Sequence, residues 1–129
     1  MNNKFSKSSN DPANQNRLVG WLVSYALDEL GFSYPIMAGK SFIGKANCNN
    51  HPTLTVNDKS IETPHFVIKA TAKHQVFAED ILSDAGSYLQ REDEAEERIT
   101  GTVELKHGDW IRIGNNTKFQ VCLIDGPTK

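Results

Sequence analysis

The stretch Leu105–Val121 reads LKHGDWIRIGNNTKFQV and carries the clearest strand pattern in the chain. Within it, Trp110-Ile-Arg-Ile113 alternates, so the tryptophan and arginine lie on one face of a strand and the two isoleucines on the other. Gly114-Asn-Asn116 is typical of a turn, and apolar residues alternate again from Phe119 to Val121. The stretch therefore predicts two short strands that are joined by a turn.

From Leu18 onward, short apolar segments alternate with turn residues at close spacing, which is typical of an all-β chain. Arg91–Arg98 (REDEAEER) is charged all round, so we expect a solvated loop with at most one helical turn. Cys122 and Ile124 make the last strand apolar on both faces, which predicts a central strand covered on both sides. About ten short strands without an amphipathic helix predict a β-sandwich or barrel. The predicted strands are Val19–Tyr25, Tyr34–Met37, Ser41–Ile43, Leu54–Val56, Phe66–Ala70, Gln75–Ala78, Gly86–Gln90, Thr102–Leu105, Trp110–Ile113 and Lys118–Ile124.

The composition restricts the class of protein. The chain has 129 residues and 38% hydrophobic residues, which suits a single globular domain. A net charge of -2 argues against broad binding to DNA or RNA, which needs a basic face. No apolar run approaches the roughly 20 residues of a membrane helix, and the polar N-terminus lacks the apolar segment of a signal peptide. We therefore expect a cytoplasmic protein with reduced Cys48 and Cys122, and with neither nucleic-acid nor membrane partners.

Three regions differ in composition. Residues 1–16 (MNNKFSKSSNDPANQN) are rich in Asn and Ser and contain one aromatic residue, so we expect a flexible tail. Residues 17–125 contain all the predicted strands and form the domain, and residues 126–129 form a short C-terminal tail. The serines at positions 6, 8 and 9 lie beside lysines and form a plausible kinase target. The protein's own N-terminal tail is therefore one hypothetical ligand, in cis or in trans.

Four segments resemble, in order and spacing, those of the forkhead-associated (FHA) domain family. Leu105–Gly114 with Phe119–Val121 is the most specific, because it resembles the family's L-x-x-G-D-x-I-x-I-G followed by F-x-V. The other three resemble the family's I-G-R turn, its D-x-S-V-S-R-x-H-A-x-I segment and its S-x-N-G-T-x-V-N segment. They are Phe42–Lys45 (FIGK), Asp58–Ile68 (DKSIETPHFVI) and Asp84–Gln90 (DAGSYLQ). The resemblance covers residues 18–124, and Val19–Val23 also resembles the opening of stand-alone bacterial FHA proteins.

This resemblance implies an SMAD/FHA-like β-sandwich of about eleven strands with no substantial helix. It also implies a non-catalytic interaction module of signalling, in which loops at one end of the sandwich hold an extended phosphothreonine peptide. A phosphate carries about -1.5 to -2 charges and accepts several hydrogen bonds, so its site needs a cation and hydroxyl or amide donors. The expected partner is a protein or a phosphorylated peptide, and no metal or other cofactor is expected.

The resemblance also implies which residues bind the peptide. Lys45 stands where the family has an arginine, so it keeps the charge but loses the planar fork. Thr63 follows the family's main phosphate-binding position, and Ser87 replaces a family threonine. Ala85 replaces the asparagine that holds the peptide backbone. The positions implied to shape the loops are kept, and they are Gly44, His65 and Gly86.

Glu62 replaces the serine that the resemblance implies as the main phosphate ligand. Two like charges about 4 Å apart repel by about 4 kcal/mol at an effective dielectric near 20, whereas a micromolar complex has only about 8 kcal/mol in total. The carboxylate must therefore turn away from a bound phosphate or pair with Lys45, which leaves Lys45, Thr63 and Ser87 as anion contacts. The alternative is a degenerate FHA domain that serves as a phosphate-independent protein-binding or oligomerisation scaffold.

Two features outside the resemblance lead to weaker hypotheses. Cys48-Asn-Asn-His51 is spaced like a pair of metal ligands but lacks the further paired ligands that zinc needs. A small enzyme with Cys48 as its nucleophile is a remote alternative, since no orienting group is visible beside it. The acidic residues between positions 92 and 97 indicate a solvated loop, or else a docking patch for a basic partner.

Overall fold

The computed structural model describes residues 17–26, 28–48 and 51–126. These residues form eleven strands and no helix, which confirms the predicted all-β sandwich. None of the described segments is therefore a helix that could cross a membrane. The predicted tail at residues 1–16 lies outside the described part of the chain. The strands are β1 (Leu18–Ser24), β2 (Phe32–Met37), β3 (Gly39–Gly44), β4 (Thr53–Thr55), β5 (Phe66–Ala70), β6 (Val76–Asp80), β7 (Ser87–Gln90), β8 (Glu97–Arg98), β9 (Thr102–Leu105), β10 (Trp110–Ile113) and β11 (Thr117–Leu123).

The strands form two sheets. One has six strands in the order β2-β1-β11-β10-β7-β8, and the other has five in the order β4-β3-β5-β6-β9. The pairs are antiparallel except for β3 and β4, which run parallel with Ile43 opposite Leu54. Strand β11 lies between β1 and β10, so its predicted central position is correct.

The core lies between the inner faces of the two sheets. In β10 the alternation appears as predicted, because Ile111 and Ile113 are buried whereas Trp110 is 38% exposed. In β11 only the inner face is fully buried, and Cys122 on the other face is half-buried. The prediction that β11 is covered on both sides was therefore wrong, because the described sandwich has two layers and nothing covers its outer face. The largest fully buried apolar side chains are Phe66, Phe119, Leu22, Ile36, Ile43, Ile61, Ile68, Leu105, Ile111, Ile113 and Val19.

The acidic run contains a strand that the sequence pattern did not indicate. Glu97–Arg98 forms β8, which pairs with β7 so that Tyr88 lies opposite Arg98. The next residue, Ile99, is 5% exposed and donates its backbone N–H to the Ser87 carbonyl at 2.8 Å. The prediction of a loop over the whole of Arg91–Arg98 was therefore wrong at its end. A buried isoleucine anchors this two-residue strand, and charged side chains suit a sheet edge.

Loops from both sheets meet at one end of the sandwich. They follow β3, β4, β6 and β10, and hydrogen bonds join them to one another. The Gly44 carbonyl accepts the N–H of Val56 at 3.0 Å, which links the end of β3 to the loop after β4. The Ser60 hydroxyl oxygen accepts the N–H of Asn115 at 2.8 Å, which links that loop to the β10–β11 turn. The predicted site residues all lie in or beside these loops.

Candidate functional site

His65 joins two of the end loops. Its side chain is fully buried, and its Nδ1 accepts the backbone N–H of Glu62 at 3.0 Å. Because Nδ1 is an acceptor, the neutral ring carries its proton on Nε2, which lies 2.9 Å from the Gly86 carbonyl oxygen and donates to it. The ring thus connects the loop before β5 to the loop before β7. This is the loop-structural position that the resemblance implied for His65 and Gly86.

Asp80 organises the loop between β6 and β7. Its carboxylate accepts the backbone N–H of Ser83 at 2.9 Å, the Ser83 hydroxyl at 2.7 Å and the Ser87 hydroxyl at 2.6 Å. The Ser83 hydroxyl oxygen in turn accepts the N–H of Gly86 at 2.9 Å. We call His65, Asp80, Ser83 and Ser87 the buried cluster. An aspartate followed three residues later by a serine is a turn pattern that sequence reasoning could have used, but it overlooked both residues.

Ser87 belongs to this cluster and not to the surface of the site. Its residue is 0% exposed, and its hydroxyl proton points to Asp80. The sequence-based assignment of Ser87 as a hydroxyl donor to a ligand is therefore not retained. The physical reason is that residue 87 begins strand β7 with its side chain directed into the sandwich, next to an acceptor that the sequence pattern did not reveal.

The Glu62 side chain is exposed and bonds to the neighbouring loop rather than to Lys45. Its Oε2 accepts the backbone N–H of Asp84 at 2.7 Å, which ties the loop before β5 to the loop before β7 a second time. Among the described residues, no carboxylate oxygen lies within the 4.0 Å ion-pair distance of Lys45 Nζ. Lys45 and Glu62 meet only through the backbone, where the Lys45 N–H donates to the Glu62 carbonyl at 3.2 Å.

The other predicted ligand positions lie around this contact. Thr63 is exposed, and its Oγ1 accepts the N–H of Ala46 at 3.0 Å, which leaves the hydroxyl proton for another acceptor. Ala85 is half-buried, and its carbonyl accepts the Tyr88 hydroxyl at 3.2 Å. A Cβ built on Gly44 would lie 3.2 Å from the Glu62 carbonyl, so a glycine lets the two loops approach closely.

Arg98 is a site residue that sequence reasoning missed. Its Nη2 donates to the carbonyl oxygens of Ser83 at 3.2 Å and Asp84 at 3.4 Å. A Cβ built on Gly86 would lie only 2.8 Å from Arg98 Nε, so the guanidinium rests on this glycine. No local signal identifies Arg98, because it ends a run of acidic residues and becomes part of the site only through the pairing of β8 with β7. We call Lys45, Glu62, Thr63, Ala85 and Arg98 the rim.

A second carboxylate braces the loop between β4 and β5. Asp58 accepts the Ser60 N–H at 2.9 Å and hydroxyl at 2.8 Å, and it accepts the Thr117 hydroxyl at 2.8 Å. Burial works to raise the pKa of the Asp58 carboxyl, but the hydrogen bonds from Ser60, Thr117 and Asn116 outweigh it and hold the pKa below its ordinary value. A depression of about 400 Å³ lies beside Asp58, and no predicted site residue lines it.

Cys48 and His51, the residues of the weaker hypotheses, meet through the backbone, where the His51 N–H donates to the Cys48 carbonyl at 3.0 Å. Among the described residues, no cluster of three or more His, Cys, Asp or Glu side chains is placed to hold a metal ion. Cys48 and Cys122 are both free thiols. The Cys48 Sγ lies 3.9 Å from the Ala46 carbonyl oxygen, and the His51 ring packs edge-on against Phe42.

The family model for the FHA domain matches residues 41–114, which is more than half of the chain. The chain belongs to the FHA domain family. Members of this family are phosphopeptide-binding interaction modules without catalytic activity, and the match confirms the family that the sequence motifs indicated. No curated protein sequence matches the chain.

Solved structures, among them FHA domains, have the same fold. Mycobacterium tuberculosis EmbR, in complex with a low-affinity phosphopeptide, aligns at 26% identity and a TM-score of 0.66 over 87% of this chain, and the match spans 26% of EmbR. The FHA domain of the Chlamydia trachomatis CT664 protein aligns at 19% identity and a TM-score of 0.68, over 82% of this chain and 98% of that one. The FHA domain of human APLF, in complex with an XRCC1 bisphospho peptide, aligns at 16% identity and a TM-score of 0.63. The match covers 81% of this chain and 99% of that one.

Proposed function

We propose that this FHA domain binds an extended phosphothreonine peptide at the loops around residues 44–45, 60–65 and 84–86. The observation that carries the proposal is the double link between these loops. His65 joins the Glu62 N–H to the Gly86 carbonyl, and the Glu62 carboxylate accepts the Asp84 N–H. Loops that are ordered before a peptide arrives lose less conformational entropy on binding.

Lys45 supplies the charge for the phosphate in this proposal. Its side chain is exposed and lies outside every described ion pair, so no internal partner has to be displaced. Thr63 supplies a hydroxyl donor, because its oxygen already accepts the Ala46 N–H while its proton is not engaged by this bond. An ammonium and a hydroxyl give weaker recognition than a planar guanidinium fork, so we expect modest affinity.

A phosphate-independent scaffold is the second candidate function, and the position of Glu62 favours it. The carboxylate lies in the site and already accepts the Asp84 amide at 2.7 Å, so it takes a donor that a bound anion would otherwise use. Its negative charge also repels a phosphate at short distance. On this alternative, the same end of the sandwich docks a protein that carries lysine or arginine.

The finer properties of the protein are proposals as well. We propose that the partner is a cytoplasmic protein, in signalling of the bacterial type, and that the domain does no chemistry of its own. A net charge of -2 supports a protein partner over a nucleic acid or a membrane surface. The protein's own N-terminal tail stays a candidate ligand, and a synthetic phosphoserine peptide with the sequence of residues 1–16 tests it.

Fluorescence-anisotropy titrations with a degenerate phosphothreonine peptide library, each peptide beside its unphosphorylated twin, test the two candidates. If the proposal is correct, the natural chain prefers the phosphorylated set, Lys45→Ala removes most of that preference, and Glu62→Ser increases it. If only Glu62→Ser binds the phosphorylated set, the carboxylate closes the site and the scaffold is the better account. Equal binding of both sets by the natural chain also contradicts phosphate recognition.

A further inference from the structure

Arg98 holds an exposed guanidinium beside the proposed path of the peptide. Its Nη2 donates to two carbonyl oxygens of the β6–β7 loop, those of Ser83 and Asp84. The guanidinium packs against Gly86. A Cβ built on this glycine would lie 2.8 Å from Arg98 Nε and 2.9 Å from Arg98 Cζ. This loop also carries Ala85, which stands where the family's peptide-binding asparagine would be. A peptide that crosses the loop therefore passes next to Arg98.

The neighbouring arginine shows what is unusual about Arg98. Both guanidinium groups flank the Tyr88 ring, with Cζ of Arg112 4.0 Å and Cζ of Arg98 5.9 Å from its centroid. Arg112 is paired with Glu96 through two hydrogen bonds of 3.1 and 2.8 Å. Arg98, by contrast, has no carboxylate oxygen within 4.0 Å among the described residues, although it follows a run of acidic residues.

The Arg98 guanidinium is also held in place. Its backbone pairs with Tyr88, and the adjacent Ile99 is buried, so the base of the side chain is fixed. Its described hydrogen bonds engage only Nη2, which leaves the donors on Nε and Nη1 for a ligand. Both paired edges of the guanidinium include Nη2, so an oxygen of a carboxylate or a phosphate would accept a single charge-assisted hydrogen bond from Nε or Nη1.

We propose that Arg98 is a specificity-determining residue, which binds an anionic group on a peptide residue that flanks the phosphothreonine. The group is either a carboxylate or a second phosphate, since both are anions whose oxygens accept charge-assisted hydrogen bonds. This inference rests on the proposed function, because it needs the peptide to cross the β6–β7 loop. Since the guanidinium is exposed, we expect about a five-fold preference, the upper range for ion pairs at a protein surface.

Three matched peptide series test the proposal by anisotropy. They carry glutamate, phosphoserine or glutamine in turn at each of about four positions on either side of a central threonine. Each series is made with phosphothreonine and with unmodified threonine at the centre. The proteins are the natural chain, Arg98→Gln, Arg98→Lys and the control Lys69→Gln. The control removes one positive charge at an exposed position of β5, and thermal melting checks that every variant is folded.

If Arg98 binds the flanking anion, the natural chain and Lys69→Gln prefer glutamate or phosphoserine over glutamine about five-fold at one or two adjacent positions. Arg98→Gln loses this preference, and Arg98→Lys keeps part of it because it retains the charge without the Nε and Nη1 donors. The stronger of the two acidic series identifies the natural group. An acidic preference that persists in Arg98→Gln, or that appears at no position, overturns the proposal.

The outcomes separate this proposal from phosphate recognition itself. If peptides with glutamine flanks bind equally with and without the central phosphate, the proposed function fails. An acidic preference that depends on Arg98 would still assign the anion contact to Arg98 in that case. If no peptide binds the natural chain or Glu62→Ser, both proposals are overturned.

Discussion

The buried cluster and the rim lie in the same loops, yet their hydrogen bonds are arranged in opposite ways. In the cluster, His65, Asp80, Ser83 and Ser87 bond to one another or to backbone groups of the loops. On the rim, Lys45 and Arg98 lie outside every described ion pair. The cluster is therefore complete without a ligand, whereas the rim presents exposed donors that a ligand can engage in place of water.

This difference explains where the chain departs from the family pattern. The glycines and histidine that shape the loops are present, and three departures fall on the rim, at Glu62, Thr63 and Ala85, while the change at Ser87 keeps a hydroxyl group inside the cluster. A change in the cluster leaves a buried polar group without a partner, which costs stability. A change on the rim that keeps the Glu62 and Arg98 hydrogen bonds alters only what the loops can bind. The comparison predicts that substitutions in the two regions separate into losses of stability and losses of binding.

The largest expected effect follows from removing His65. In His65→Ala the Glu62 N–H and the Gly86 carbonyl both lose their partner, and a cavity remains where a fully buried ring was. We expect the free energy of unfolding to fall by about 3 kcal/mol, which corresponds to a melting temperature lower by about 10 °C. Thermal melting followed by circular dichroism measures both.

His107→Ala is the matched control for this change. The His107 ring also accepts one backbone N–H, that of Leu123 at 3.0 Å, but it does so at an exposed position. Water can replace its contact, so we expect a loss of less than about 1 kcal/mol. Equal losses of unfolding free energy in the two variants would contradict the inference that the hydrogen bonds of the buried cluster contribute more to stability than exposed ones.

A second effect tests the Asp58 brace through its pH dependence. The pKa of Asp58 is lowered in the folded chain, so the carboxylate contributes stability above its unfolded pKa of about 3.9. This contribution is lost as the pH falls through the lower, folded pKa. We expect Asp58→Asn to cost about 2 kcal/mol at pH 7, because the amide cannot accept as many hydrogen bonds.

Urea unfolding at pH 7 and at pH 3 measures this contribution. The difference between the natural chain and Asp58→Asn should shrink at pH 3, because the natural carboxyl begins to protonate. Asp28→Asn is the control, since Asp28 is exposed and its carboxylate accepts only the Leu30 N–H among its described contacts, so we expect less than about 0.5 kcal/mol. If the difference in unfolding free energy between the natural chain and Asp58→Asn stays constant with pH, the ionised Asp58 carboxylate is not what stabilises the loop.

A third effect lies at the boundary between cluster and rim. Gly86 has a φ of +86°, and Gly86→Ala would also push the Arg98 guanidinium away from its two carbonyls. Gly101 has a φ of +70° with no atom within 4 Å of a built Cβ, so Gly101→Ala gives the backbone strain alone. We expect losses of about 1.5 and 1 kcal/mol respectively, measured by urea unfolding. The small excess at Gly86 should vanish in the Arg98→Gln background.

The fold was predictable because its signals are local. Alternation in Trp110–Ile113 and the Gly114–Asn116 turn indicate a hairpin without any knowledge of the partner strands, and the structure has that hairpin. The prediction failed at β8, since two charged residues have no intrinsic strand pattern. Their pairing depends on Ile99 entering the core, which is a property of the assembled sandwich.

The site was predictable only in part. The motifs pointed to His65 and Gly86, which a hydrogen bond of 2.9 Å joins in the structure, because a contact of this kind depends on backbone geometry. They could not place Ser87 in a buried bond to Asp80, or Glu62 against the Asp84 amide, because side-chain partners depend on loop conformations. Arg98 joins the site through a strand pairing, which local sequence does not reveal.

The smallest effects on stability are expected for substitutions on the rim. Lys45 is exposed and its side chain has no described ion pair, so Lys45→Ala should change the free energy of unfolding by less than about 0.5 kcal/mol. Glu62→Gln keeps an oxygen for the Asp84 N–H and removes the charge, so we expect a similarly small change. Urea unfolding measures both, with Lys69→Gln as the control for a lost surface charge.

The same two variants should differ in anion binding, although they match in stability. Removing the Lys45 charge weakens the attraction to a phosphopeptide, because the ammonium attracts the phosphate. Removing the Glu62 charge strengthens the attraction, because the carboxylate repels the phosphate. Salt should reduce both differences, since exposed charges are screened. A loss of more than about 1 kcal/mol of stability in Lys45→Ala would mean that Lys45 also holds the loops together, because a residue that only contacts a ligand cannot stabilise the free domain.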